Sequence, residues 1–240
     1  MTTFETASAR YWRITILTVA PATLLVALAA HPFIEGRLPN QTAIADAVDA
    51  GTTRWGVVHL AASLASALIA LAFLAVRQYL HDAGEDRLSG IGMPLVIVGS
   101  TLYAVLPGME FAALAAAETG ATTAGVAEVQ DAIGPWFTPV LIASSLTFGL
   151  GAISFAGAIR ASRIASARTT QVVGVALIFM ALSRIVPLSV TQFYIHGLAA
   201  LVAFLPLAYV TRTQRVMSSG FPYPQQGDVG AKSAPTTTAS

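Results

Sequence analysis

Long apolar runs separated by short polar connections divide the chain into six segments, at about 12–34, 55–80, 91–117, 136–159, 171–190 and 193–210. Each is near or above the roughly 20 residues that an α-helix needs to cross the hydrocarbon core of a bilayer. The pattern predicts an all-α integral membrane bundle of six transmembrane helices occupying residues 12–213. The sixth segment is marginal in length, and the connection before it is very short, so the last two read as one tight helical hairpin.

The third segment stands out. Ser100, Ala104, Gly108, Ala112 and Ala116 recur at every fourth position, a spacing that makes a smooth stripe for close helix packing. The same segment carries Glu110 just after a Pro107-Gly108 break. A carboxylate at membrane depth is costly, so it must face protein or water and have a partner.

Two shorter stretches have helical periodicity. Residues 42–50 place Ile44 and Val48 four apart, and residues 124–133 place Val126, Val129 and Ile133 on a similar spacing. Both connect the outer ends of segments, so they are expected as interfacial helices forming a lid. The tail from Ser218 to Ser240 is rich in Gly, Pro, Ser and Thr, and residues 214–240 read as a disordered cytoplasmic tail.

Orientation follows from the basic residues. With residues 1–11 inside, the cytoplasmic set is Arg10, Arg13, Arg77, Arg87, Arg160, Arg163, Arg168, Arg212, Arg215 and Lys232, ten positions against Arg37, Arg54 and Arg184 outside. Both termini therefore read as cytoplasmic, in a multi-pass protein of the cell membrane. Arg10, Arg13 and the later Ala27-Leu28-Ala29 also fit a cleaved signal peptide, which would leave five helices. The apolar run continues through Phe33 and Ile34, which favours an uncleaved first span.

Composition narrows the function classes. The chain is 55% hydrophobic and 10% charged over 240 residues, and a soluble domain could not bury that much apolar surface. A net charge of +1 without a dense basic patch excludes a nucleic-acid partner. The absence of cysteine excludes disulfides, thiolate metal sites and cysteine nucleophiles. There is no P-loop, no GxSxG motif, and no lysine in an apolar segment to form a retinal Schiff base.

Ionisable residues remain as candidates. His31, His59, Glu110, Arg184 and His196 all fall toward the outer ends of their segments, one from each of five helices. His81 stands instead in a cytoplasmic loop beside Asp82, Glu85, Asp86 and Arg87 and reads as solvated. The shared layer predicts an outward-facing polar pocket that binds or passes a small ligand or ion. The first alternative is a metal ion or haem b. His59 and His196 could be its axial pair, or His31, His59, His196 and Glu110 could supply metal ligands. The second is a purely structural role, in which Glu110 and Arg184 form an ion pair between helices. The bilayer is the expected partner, with a second copy or another membrane subunit also compatible.

Overall fold

The computed structural model describes residues 7–218, with side chains described for 8–213. The described chain is helical and has no strand; a lone bridge joins Arg37 to Leu188. The helices are α1 (Ala7–Ala30), α2 (Gln41–Asp49), α3 (Thr52–Asp82), α4 (Arg87–Met109), α5 (Phe111–Glu118), α6 (Thr123–Ser162), α7 (Ala167–Ser183) and α8 (His196–Ser218). A π-helical turn, Val190–Ile195, leads into α8. The tail expected to be disordered falls, from residue 219 onward, outside the described residues.

Five stretches are long and apolar enough to cross a membrane: Ser8–Ala30, Thr52–Asp82, Arg87–Glu118, Thr123–Ser162 and Val190–Thr213. The sixth, α7, is apolar but has only 17 residues. The short member is thus the fifth segment and not the sixth. Helix α7 stops at Ser183, four residues before Pro187, whose ring cannot continue an α-helix. The expected tight hairpin is instead a six-residue connection, Arg184 to Ser189, tied back to the loop after α1.

The six long elements form a closed ring. Each of α1, α3, α4, α6, α7 and α8 packs against the next, and α8 returns to α1. Phenylalanines fill the centre: Phe73 of α3 meets Phe148 and Phe155 of α6 and Phe204 of α8, with ring centroids 5.7, 4.8 and 5.1 Å away. The outward faces carry exposed Leu60, Leu64, Ile97, Leu146, Leu150, Ile178, Phe179 and Leu198, as a lipid-facing surface requires.

The closest contact in the ring is α4 on α6. A Cβ on Gly99 would fall 2.5 Å from the backbone nitrogen of Phe148, and one on Gly151 would fall 2.8 Å from Val96. The packing face of α4 is therefore Gly92, Val96 and Gly99, not the five-residue stripe read from the sequence. Ser100 of that stripe is buried, but Gly108 faces open space. Serines join α3 to α4: Ser66 Oγ donates to the Ser100 carbonyl at 2.8 Å and Ser63 Oγ to that of Ala104 at 3.2 Å.

Two boundaries differ from the hydropathy pattern in ways that build the site. The third apolar segment is split at Glu110, three residues after Pro107, which itself lies inside α4. The fourth fuses with the stretch expected as a separate interfacial helix. The resulting α6 has 40 residues, about 60 Å at 1.5 Å per residue, twice the depth of a hydrocarbon core. Its first turns project beyond the ring and pack on α2 and α5. A second apolar cluster holds this cap together, built from Ile34, Ile44, Ala45, Val48, Trp55, Ala113 and Val126. The expected pairing of 42–50 with 124–133 is present as this cap.

Candidate functional site

Beneath the cap lies a cavity of about 160 Å³. His31, His59, Trp55, Tyr103, Glu110, Gln130, Gln192 and Phe193 line it among aliphatic side chains. Several short tethers fix its walls. Ser189 Oγ donates to the Ile34 carbonyl at 2.6 Å, the Leu38 amide to the Pro187 carbonyl at 2.9 Å, and Arg54 Nε to the Ala30 carbonyl at 3.0 Å. The π-helical turn brings Gln192 and Phe193 to the wall, and Gln192 Nε2 donates to the Arg184 carbonyl at 3.3 Å.

His31 and His59 meet here. Helix α1 ends one residue before His31, and His59 sits two turns into α3. Their Nε2 atoms are 3.4 Å apart. Each Nδ1 lies 2.7 Å from a backbone carbonyl, that of Pro32 for His31 and that of Trp55 for His59. A carbonyl can only accept, so both Nδ1 atoms carry the hydrogen. In the neutral rings both Nε2 atoms are then bare lone pairs, facing one another. Trp55 and Phe193 enclose the pair, with centroids 5.4 and 4.3 Å from the His31 ring.

Glu110 occupies the break between α4 and α5. Its carboxylate accepts from Gln130 Nε2 of α6, and its backbone carbonyl accepts from the Trp55 indole at 3.3 Å. An aromatic residue at the start of a membrane helix commonly faces the interface, as Trp55, Trp136 and Phe193 could by position. Only Trp136 has that exposure, at 73%, whereas Trp55 is 1% exposed.

Arg184 and His196 lie elsewhere. Arg184 is buried with its guanidinium over the Phe148 ring at 3.6 Å and over the Tyr103 ring at 4.1 Å. It does not pair with Glu110, which corrects the expected interhelical ion pair. Glu110 is satisfied by Gln130, and the face of Arg184 is satisfied by rings. His196 Nδ1 donates to the Met180 carbonyl at 2.9 Å, with Ser183 Oγ also at 2.9 Å. His196 Nε2, Arg184 Nε and Arg184 Nη1 have no hydrogen-bond partner. Gly197 allows the close approach of α1: a Cβ there would fall 2.9 Å from Leu25.

The predicted layer therefore divides. His31, His59 and Glu110 share one cavity, while Arg184 and His196 lie outside its lining, both against Tyr103 and Phe148. An axial pair of His59 and His196 is not formed, and His196 joins neither His59 nor Glu110 around a metal. Among the described residues no cluster of three or more His, Cys, Asp or Glu is placed to hold a metal ion. His81 is exposed and paired with Asp86 at 2.6 Å, but it lies in the last turn of α3 and not in a loop. Sequence reasoning missed Gln130, Gln192 and Tyr103; uncharged polar residues inside apolar runs were the available signal. No family model, curated protein or solved structure matches this chain.

Proposed function

We propose that this is a six-span membrane protein, with both termini cytoplasmic, whose capped cavity binds a small ligand carrying a protonated amine on an apolar body. The observation that carries this reading is the sign of the cavity's polar groups. The two Nε2 lone pairs of His31 and His59 and the carboxylate of Glu110 are all acceptors, and no lysine or arginine lines the cavity. Trp55, Tyr103, Phe137 and Phe193 add aromatic walls that suit a cation on an apolar frame. The volume limits the guest to a few heavy atoms beyond the amine. The end opposite the cap carries Arg13, paired with Asp82, and also Arg77, Arg87, Arg160 and Arg163. The basic-residue rule makes that end cytoplasmic and leaves the cavity on the outer side.

The test is a binding panel on the purified protein in detergent. Small primary and quaternary amines are titrated beside neutral and carboxylate analogues of the same shape, with tryptophan fluorescence as readout because Trp55 lines the cavity. Amines should bind, and Glu110→Gln should weaken them at least tenfold. Tighter binding of the carboxylates, or amine binding indifferent to Glu110→Gln, would overturn the assignment.

A further inference from the structure

The facing lone pairs of His31 and His59 need an electrophile between them. Two neutral imidazoles with both Nδ1 hydrogens given to carbonyls repel at their Nε2 atoms unless a proton or a cation is shared. Geometry separates these cases. A hydrogen bond would bring the nitrogens to roughly 2.7–3.2 Å and set the rings head-on. Rings held head-on at the observed 3.4 Å would have centroids about 5.7 Å apart. The centroids are 4.9 Å apart with the planes at 60°, so the rings are tilted and not head-on. Two ligands on a tetrahedral ion at about 2.0–2.1 Å stand about 3.3–3.4 Å from each other. The 3.4 Å separation meets that value.

The surroundings match as well. A metal-bound histidine characteristically donates its other ring N–H to a carbonyl or carboxylate, which fixes the tautomer and raises the basicity of the ligating nitrogen. Both histidines do so here at 2.7 Å. Both are more than nine-tenths buried, at 8% and 4% exposure, yet their Nε2 atoms border the cavity.

We propose that His31 and His59 are a two-histidine ligand pair for a tetrahedral divalent transition-metal ion of the zinc class, with its two remaining coordination positions open to the cavity. Those positions would take water. The proposal rests on the same cavity and competes with the amine for the two Nε2 lone pairs, but it does not use Glu110, so the two readings can fail separately.

The experiment uses untagged full-length protein in detergent, stripped with chelator, with His81→Ala introduced to remove the exposed histidine. Zinc is titrated against a chromophoric chelator, and cobalt(II) is used as a spectroscopic probe. One equivalent of zinc should bind, and cobalt should give the intense visible bands of a tetrahedral site. His31→Gln and His59→Gln should each weaken zinc about 10–100-fold or more, while Glu110→Gln and His196→Gln leave it unchanged. Thermal unfolding followed by tryptophan fluorescence identifies any variant that fails to fold. If one histidine variant misfolds, the other still decides. The proposal is overturned if the folded parent binds no zinc, if binding survives both histidine substitutions, or if bound cobalt shows only weak octahedral bands. Loss of amine binding in Glu110→Gln with zinc binding intact would separate the two sites.

Discussion

Adding one methyl group at Gly99 tests the central packing of the fold. An ideal Cβ there lies 2.5 Å from the backbone nitrogen of Phe148, 2.7 Å from its Cβ and 2.8 Å from its Cα. All three atoms belong to, or are rigidly fixed on, the facing helix, so no side-chain rotation can relieve the clash. Ordinary contact begins at 3.4 Å, so α4 and α6 must separate by most of an ångström. Overpacking of this kind costs about 1–3 kcal/mol. Replacing glycine by alanine inside a helix returns about 0.5–1 kcal/mol. Gly99→Ala should therefore destabilise by a net ~1–2 kcal/mol. Gly108→Ala is the control, because nothing stands within 4 Å of its Cβ position and only the helical gain applies. The assay is thermal unfolding in detergent, read from intrinsic tryptophan fluorescence. At about 2–4 °C per kcal/mol for a chain of this size, the two variants should move Tm in opposite directions. Equal stability of the two, or a Gly99→Ala protein more stable than the parent, would refute the close α4–α6 contact.

Other outcomes follow from the same structure. Arg184→Met should change stability by less than about 1 kcal/mol or raise it, because the lost ring contacts are offset by removing a desolvated charge with unpartnered nitrogens; chemical denaturation in mixed micelles measures this. A double-mutant cycle of Glu110→Gln with Arg184→Met should give a coupling within about 0.5 kcal/mol, since the two do not touch; a coupling of several times that size would restore the ion pair. Ser66→Ala should cost about 0.5–1.5 kcal/mol through loss of its hydrogen bond to Ser100 on α4, seen as a lower Tm. Trp55→Phe keeps the apolar bulk but removes the indole donor to Glu110, and should loosen the α4–α5 break, seen as faster backbone amide exchange at residues 110–114.

Much of the architecture was written in hydropathy, and the site was written there only as depth. Counting basic residues placed His31, His59 and Glu110 in one layer, and these three do share a cavity. Depth along a helix follows from sequence number, but rotation about its axis follows from packing against neighbours far away in the chain. That is why Arg184, at a depth similar to Glu110, turned toward Phe148 and Tyr103 instead. Trp55 shows the same ambiguity, since an aromatic residue at a helix start looks alike whether it faces headgroups or a cap. Pro135 shows another: the fourth apolar segment was expected to begin at about residue 136, yet α6 starts at Thr123 and runs through Pro135, because one missing N–H removes only one hydrogen bond from a long ladder.

Arg184 sets a limit on what the cavity can do. Its guanidinium, wrapped in rings and without a counter-ion, stands behind Tyr103, the residue that also forms the cavity's wall. A cation moving inward past Glu110 would approach a fixed positive charge in a region of low dielectric, where repulsion is hardly screened. Selective pores use a lone arginine in this way to turn cations back. If the cavity takes a positively charged guest as proposed, the charge of Arg184 beyond Tyr103 opposes that guest's passage toward the far end of the bundle.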